Sequence, residues 1–386
     1  MIILRYREPP DLDRFLEKNG LQRGNIVHRF VTSAAVAIRA PAPALERLTA
    51  VGGTQIVRDV RLSPVPAIPS RRRFQRGQRD EAAREVSAPS FLPAVPGPAP
   101  VGVAIMDAGI EPRADLGIVI PQERRWDFYA GQPAPDKRQP AGSHGSQMAY
   151  VATRPFKGQP SNVTLWSLRV DKANEMAVAV DWAVQYNAAP GPDGPIRILC
   201  TARSFTQVDD AARAHLEETI SGARANDIVT CVALGNVPPL LTPATAPGAI
   251  TVGAYYENRD GPEDDVVRSF ESTPSPADFR KPNVLCRWYP HPIGVNNDGS
   301  GTSLATAYLA RAIAIWMGTK PDLTPDAIDA HIESSKEHLQ DPLMRSSDQG
   351  GFPVVRDPGF PPMQSAPPPL SVAVAPGPSI TAPAAP

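Results

Sequence analysis

The chain has 386 residues, of which 42% are hydrophobic and 20% charged, and its formal net charge is −1. A charge this close to neutral argues against a dedicated nucleic-acid-binding protein, and the length allows two or three domains. Proline is over-represented, with 46 residues, of which 19 fall within Ser63–Pro100 and Gly351–Pro386. The remainder has an ordinary composition, which excludes a fibrous or wholly disordered protein.

Residues 1–62 have a hydrophobic pattern of their own. It predicts a strand, a helix, two strands, a helix and a strand, over Ile2–Tyr6, Asp11–Asn19, the two apolar runs of Asn25–Arg39, Pro43–Val51 and Gln55–Leu62. Glycines after each helical segment mark where the helices end. The order βαββαβ predicts a small ferredoxin-like α+β module.

Two stretches of the chain have no hydrophobic periodicity. Residues 63–100 are rich in Pro, Arg and Ala, with five arginines between Arg71 and Arg79. This composition predicts a solvated linker, and the alternative is a protease-sensitive connection between two domains. Residues 351–386 are rich in Pro and Ala, so we expect a tail there.

Short apolar runs alternate with helical patterns from Val101 to about Asp341. The strand-like runs VGVAIMD, IRILCT and DIVTCVAL are almost continuously apolar, as in strands buried on both faces. The alternation predicts an α/β domain over residues 101–350, with a parallel sheet covered by helices.

The cysteines and the N-terminus limit the cellular context. Cys200, Cys231 and Cys286 are too few for a disulfide framework, and their spacing does not indicate zinc. Because the first two lie in apolar strands, we expect buried free thiols, with a bridge between them as the alternative. No apolar run reaches 18 residues, so we expect no membrane span. The N-terminal sequence MIILRYREPP is not a standard signal peptide. A cytoplasmic location follows, or secretion if an upstream leader is missing.

Three segments carry residues that are able to perform chemistry. Asp107 ends the first strand of the α/β domain, His144 opens a helix within GSHGS, and Ser303 lies in GSGTSLA at the start of a long helix. Active groups of parallel sheets collect at the carboxyl ends of strands. A serine nucleophile needs a base, and the base needs a carboxylate that fixes its tautomer. Asn236, in ALGN after another strand, offers an amide donor for an oxyanion.

Each of these residues alone has an ordinary explanation. The aspartate suits a turn, the histidine a helix start, the serine a helix N-cap and the asparagine a loop. All four at strand ends of one α/β segment point instead to a shared site.

The motifs resemble those of the subtilisin-like serine peptidases, the peptidase S8 family. The matching stretches are IMDAGI, GSHGSQMA, ALGN, PATAPGAITVGA and GSGTSLATA, within residues 101–318. The resemblance implies a subtilisin-like three-layer α/β fold and a serine endopeptidase that needs no cofactor. It implies that Asp107, His144 and Ser303 form a catalytic triad, that Asn236 lies in the oxyanion hole, and that the substrate is a protein or peptide.

The same resemblance extends to regulation. It implies that residues 1–62 are a propeptide-like module that acts as an intramolecular inhibitor and folding aid. The peptidase would then be latent until the module or the linker is processed.

The resemblance implies substrate-binding residues at Thr201, Ala202, Arg203 and Gly235, and the chain departs from the family pattern in the first three of them, within Thr201–Ser204. The family has glycine where this chain has Arg203, so its side chain either points to solvent or changes the pocket toward acidic or small side chains. No cluster matching the family's calcium ligands is present in the sequence.

Two other classes of function fit parts of the sequence. A non-catalytic binding protein with the same fold would explain the altered pocket strand and the attached module. A nucleotide-binding protein is disfavoured because no glycine-rich phosphate loop follows any strand. Neither nucleic acid nor membrane is an expected partner.

Overall fold

The computed structural model describes residues 2–6, 12–41, 43–44, 48, 54–57, 99–113, 118–129, 133–135, 144–154, 161–205, 208–236, 241–256, 266–267, 282–287, 301–334, 336–337 and 352–355. Within these ranges a small antiparallel sheet precedes a larger, mostly parallel sheet. The predicted linker, apart from residues 99 and 100, lies outside the described residues.

The N-terminal module has the predicted ferredoxin-like arrangement. Its elements are β1 (Ile2–Tyr6), α1 (Leu12–Lys18), β2 (Ile26–Arg29), β3 (Ala35–Ile38) and β4 (Thr54–Val57). The strands lie in the order β2-β3-β1-β4 and every neighbouring pair is antiparallel. Residues 43, 44 and 48 are helical, at the predicted position of the second helix.

The larger unit confirms the predicted alternation of strands and helices. Its strands are β5 (Val101–Asp107), β6 (Arg125–Asp127), β7 (Ala134–Pro135), β8 (Val163–Arg169), β9 (Ile196–Thr201), β10 (Val229–Ala233), β11 (Ala249–Tyr256), β12 (Val266–Val267), β13 (Val284–Arg287), β14 (Lys336–Glu337) and β15 (Phe352–Val355). Its helices are α2 (His144–Ala152), α3 (Ala173–Ala188), α4 (Asp210–Ala225), α5 (Thr302–Thr319) and α6 (Pro325–Ser334).

The strand order positions the site. Strands β15, β13, β11, β10, β9, β5, β8 and β6 lie side by side in that order and are parallel. Strand β5 therefore lies between β8 on one side and β9 on the other. The chain continues from β5 to β8 on one side but from β9 to β10 on the other. Parallel sheets form a binding crevice at the carboxyl ends of strands where the strand order reverses in this way, so we place the crevice at the end of β5.

Helices cover both faces of the sheet. Apolar side chains of α2, α5 and α6 pack on one face, and those of α3 and α4 pack on the other. The start of α4 follows from its sequence, because the Asp209 carboxylate accepts a hydrogen bond from the Ala212 amide at 2.7 Å. No described helix combines the length and apolarity that crossing a bilayer requires.

The module packs its sheet against the outer side of α3 and α4. On β1, Ile3 faces these helices while Leu4 faces the module's own core. On β3, Ala35 and Ala37 likewise face the helices, and Val36 faces the module's core. Because strand side chains alternate between two faces, this pattern buries both faces of the module's sheet.

Two further expectations bear on the fold. Cys200, Cys231 and Cys286 are free and buried, which confirms the prediction of buried thiols. The first residues of the stretch predicted as a tail form a strand instead, because β15 pairs in parallel with β13 through residues 354 and 355. The sheet therefore extends beyond residue 351, where the composition alone had marked the end of the folded unit.

Candidate active site

Asp107 lies at the centre of the crevice. It is the last residue of β5, and its side chain has no solvent-exposed surface. The Oδ2 atom is 2.8 Å from Nδ1 of His144, while Oδ1 accepts a hydrogen bond from the Ala108 amide at 2.6 Å. A buried carboxylate is tolerated only when such partners offset its desolvation.

His144 is positioned by close packing between its helix and the end of β5. It is the first residue of α2, and its side chain is 40% exposed. A Cβ atom on the following residue, Gly145, would lie 2.3 Å from the carbonyl oxygen of Gly109. Gly109 itself has φ +115°, a conformation that side chains disfavour. Both glycines thus let the helix bring the imidazole to Asp107.

The charges around this pair determine the protonation state of each group. Burial alone would raise the pKa of Asp107. Interactions with His144, Arg203 and the Ala108 amide outweigh this effect and lower the pKa to about 2. Burial lowers the pKa of His144, the Asp107 charge and hydrogen bond raise it, and Arg203 lowers it; the net shift is upward. An ionised carboxylate only accepts hydrogen bonds, so Nδ1 carries the proton and Nε2 of the neutral ring is the basic atom.

Ser303 lies in the first turn of α5. It is 6% exposed, and it follows Gly301, the N-cap residue, and Thr302. Helices α2 and α5 pack against each other, and both also contact β5, the strand that ends in Asp107. Within the described residues, no hydrogen bond joins Ser303 to His144. Such a contact often forms only when substrate is bound.

Asn236 is held at the N-terminus of α5 by its side-chain oxygen. Oδ1 accepts hydrogen bonds from the Thr302 amide at 3.1 Å and from the Thr302 hydroxyl at 3.0 Å. A Cβ atom on Gly301 would lie 2.6 Å from this oxygen. The oxygen of the amide is thus bound by Thr302, and the amide nitrogen is the side-chain atom of Asn236 that is able to donate.

The implied substrate-binding residues divide into buried and crevice-facing groups. The Thr201 hydroxyl donates to the Met106 carbonyl at 3.0 Å, and Ala202 is buried. The Gly235 amide donates to the Thr302 hydroxyl at 3.2 Å.

The expectation that Arg203 points to solvent is wrong. Its side chain is 14% exposed, and Nη2 lies 3.0 Å from Oδ1 of Asp107. This contact and the support that Thr302 gives to Asn236 were missed by the sequence reasoning. The available signal was a basic residue just beyond a strand that neighbours the one ending in Asp107.

The described residues contain no group of three or more His, Cys, Asp or Glu side chains that could hold a metal ion. The side chains at this site offer a base oriented by a carboxylate, a hydroxyl at a helix N-terminus and an amide donor.

Comparison with known proteins identifies the family. The model of the "Subtilase family" matches residues 99–351. The serine protease AprX of Bacillus subtilis is 28% identical over 287 residues, covering 62% of this chain and 62% of AprX. The chain thus spans about three fifths of the length of that relative.

Solved structures share the fold. Fervidolysin from Fervidobacterium pennivorans, described as a keratinolytic enzyme related to subtilisin, has a TM-score of 0.58 at 15% identity and covers 92% of this chain and 60% of its own. The epidermin leader peptide processing serine protease of Staphylococcus aureus has a TM-score of 0.58 at 14% identity and covers 92% and 97%. Together with the family model, which matches well over half of the sequence, these findings show that the chain belongs to the subtilase family.

Proposed function

We propose that the chain is a serine endopeptidase that cleaves peptide bonds in protein substrates through an acyl-enzyme. The observation that carries this proposal is the hydrogen bond between Asp107 and His144, which orients a base in a chain that also holds Ser303 in the first turn of α5. Family membership supports the reaction class.

The proposed mechanism assigns one step to each group. His144 Nε2 removes the proton of Ser303 as its oxygen attacks the scissile carbonyl, and Asp107 stabilises the imidazolium that forms. The Asn236 amide and the Ser303 N–H donate to the oxyanion of the tetrahedral intermediate. The imidazolium then protonates the leaving amine, and a water molecule releases the acyl group by the same steps.

The substrate groove is proposed to follow the end of β9 and the loop after β10. Residues 201–203 and Gly235 lie at the carboxyl ends of strands that flank the crevice. Since the Arg203 guanidinium is turned toward Asp107, backbone groups of this segment, rather than that charge, would contact substrate.

A fluorophosphonate probe tests the proposed function directly. This reagent phosphonylates only a serine activated by a base, so we expect one adduct per chain, on the peptide that contains Ser303. The measurement is intact mass followed by peptide mapping, on the full chain before and after limited trypsin cleavage at the arginine-rich linker. No adduct in either sample, or an adduct on a different serine, would favour a non-catalytic protein with this fold.

We also propose the domain organisation and the regulation that go with this activity. Residues 1–62 act as an intramolecular inhibitor of a catalytic unit that begins at residue 101 and includes β15, joined by a cleavable linker at 63–100 and followed by a tail after residue 355. The supporting observation is a polar contact between the module and the middle of α3. Oδ1 of Asp181 accepts hydrogen bonds from the Val31 amide (2.9 Å), the Thr32 amide (2.8 Å) and the Thr32 hydroxyl (2.6 Å).

The Asp181 contact is buried and well satisfied. The other oxygen, Oδ2, accepts from the His28 ring at 2.7 Å, and Asp181 has no exposed side-chain surface. Burial raises the pKa of Asp181, but the hydrogen bonds from His28 and Thr32 lower it below its usual value. The carboxylate is thus ionised at neutral pH and binds the module, whose position limits access to the enzyme in this proposal.

We expect Gly222→Ala to weaken docking of the module. A Cβ atom at position 222 of α4 would lie 2.5 Å from Cβ of Thr32, whose amide and hydroxyl are both held by Asp181. Overpacking costs about 1–3 kcal/mol, so the rate of Ser303 labelling in the uncleaved chain should rise about 5- to 150-fold. The helix itself gains from alanine, so a loss of the contact is not a loss of α4.

Gly24→Ala is the matched control for this substitution. A Cβ atom at Gly24 would have no neighbour within 4 Å, so labelling should proceed at the wild-type rate. Equal labelling rates for Gly222→Ala, Gly24→Ala and the wild type, with all three uncleaved, would show that the docked module does not restrict the site.

A further inference from the structure

Arg203 makes an ion pair that the resemblance to the family does not account for. Nη2 is 3.0 Å from Oδ1 of Asp107, a carboxylate without exposed surface. Among the described residues, Asp107 is the only carboxylate that pairs with Arg203, and the Nε atom of Arg203 is buried without a hydrogen-bond partner. Burying a guanidinium with an unpaired N–H group costs stability. A residue kept in such an arrangement is therefore a candidate for a functional role.

The two oxygens of Asp107 have separate partners. Oδ1 accepts from the Ala108 amide at 2.6 Å and from Arg203 at 3.0 Å, and Oδ2 is left for the His144 ring at 2.8 Å. Two donors on Oδ1 oppose rotation of the carboxylate about its Cβ–Cγ bond. That restraint keeps Oδ2 directed at Nδ1 of the imidazole.

The backbone of Arg203 is itself tied to the strand that carries Asp107. Its amide donates to the Thr201 hydroxyl at 3.2 Å, and that hydroxyl donates to the Met106 carbonyl at 3.0 Å. The guanidinium therefore approaches Asp107 from a segment anchored one residue before it. These two hydrogen bonds hold the Arg203 backbone in place relative to β5, and so help to fix the position from which the guanidinium contacts Asp107.

The charge of Arg203 also acts on the base. Asp107 on β5 favours a protonated His144, whereas the permanent positive charge of Arg203 opposes it. Among the described residues, the Cys200 thiol on β9 also interacts with Asp107, and burial raises its pKa so far that it remains neutral. The first turn of α5 presents Thr302 and Ser303, neither of which is charged.

We propose that Arg203 is a positioning residue for catalysis: it anchors one oxygen of Asp107 so that the other faces His144, and it keeps the His144 ring neutral at lower pH than the carboxylate alone would allow. The proposal rests on the proposed function, in which neutral His144 removes the Ser303 proton. It gives the Arg203 guanidinium a place behind the triad, with no contact to substrate.

The test is the pH dependence of Ser303 phosphonylation by a fluorophosphonate. In Arg203→Gln we expect the acid limb to move to higher pH by about 0.5–1 pH unit, because removal of the positive charge favours the imidazolium. The plateau rate should fall about tenfold, because Asp107 is less well held. Arg203→Lys retains the charge without the planar fork, so its acid limb should stay close to wild type while its plateau falls.

Arg213→Gln is the control, because it removes an arginine that pairs with the exposed Asp210 on α4. Its acid limb and plateau should both match wild type. The proposal is overturned if Arg203→Gln has the acid limb of Arg213→Gln, or if Arg203→Lys moves the limb as far as Arg203→Gln. Should Arg203→Gln fail to fold, the lysine variant decides the question against wild type: an acid limb that moves up by about 0.5–1 pH unit although the charge is retained overturns the proposal.

A measurement that needs no activity separates this proposal from the proposed function. The His144 ring is titrated by NMR in full-length Ser303→Ala protein, with and without Arg203→Gln, and its signal is assigned by its loss in His144→Gln. We expect the ring to titrate at higher pH without Arg203. If the His144 ring titrates as expected but the wild-type chain takes no probe, the peptidase function is refuted and the electrostatic role of Arg203 stands. If the titration of the ring does not change in Arg203→Gln, only the role of Arg203 is refuted.

Discussion

Replacing Asp107 with asparagine should lower turnover of a protein substrate such as fluorescein-labelled casein by about 10⁴-fold, as loss of the carboxylate does in another serine peptidase with this triad. The reason is the tautomer of the base. Oδ2 now accepts the Nδ1 proton of His144 at 2.8 Å. An asparagine whose Oδ1 stays with Ala108 and Arg203 would offer an NH₂ group there, so the ring would move its proton to Nε2 and lose its basic atom.

The pH profile of Asp107→Asn distinguishes this cause from a general distortion. Since the Asp107 charge raises the pKa of His144 and Arg203 lowers it, the variant retains only the lowering charge. Its residual activity should therefore have an acid limb at lower pH than wild type, opposite to the shift expected for Arg203→Gln.

Asp193→Asn is the control for this substitution. Asp193 pairs with Arg124 and lies before β9, at the strand end remote from the crevice. The control should keep wild-type turnover and acid limb. If Asp107→Asn lost less than tenfold in turnover while Asp193→Asn behaved as wild type, Asp107 would not be the group that orients the base.

The parts of this molecule that sequence predicts well are those with a local cause. Strands such as β5 and β10 are buried on both faces and therefore read as continuous apolar runs. Gly145, next to His144, lies within a helix and not in a turn. A glycine there indicates close packing, and a Cβ atom at this position would clash with the Gly109 carbonyl beyond the end of β5.

What sequence could not supply are contacts between residues far apart in the chain. Arg203 follows a strand, where charged residues usually face water, but its partner is 96 residues away. The Thr302 to Asn236 contact spans 66 residues, and its pattern is visible only after β10 and α5 are brought together. Asp181 had a local signal, a carboxylate within the apolar run AVAVDWAV, but the segment that satisfies it belongs to the module.

Replacing Asn236 with alanine should lower kcat by about 10²–10³-fold with little change in KM, because the lost donor binds the oxyanion of the transition state and not the ground-state carbonyl. The support from Thr302 makes this prediction specific. The amide oxygen of Asn236 accepts two hydrogen bonds from Thr302, at 3.1 and 3.0 Å, which fixes the orientation of the amide and leaves the nitrogen as its donor atom.

Asn236→Asp sharpens the test, because it preserves the size of the side chain and the oxygen that Thr302 binds. It replaces the donor with an acceptor that would repel an oxyanion, so kcat should fall at least as far as in Asn236→Ala. Asn162→Ala removes an amide that binds the Ala99 and Ala314 carbonyls at the opposite side of the fold, so it should reduce thermal stability without changing kcat. If Asn236→Asp instead kept more than a tenth of wild-type kcat, the amide nitrogen would have no part in binding the oxyanion, and the helix N-terminus at Ser303 would have to stabilise the charge alone.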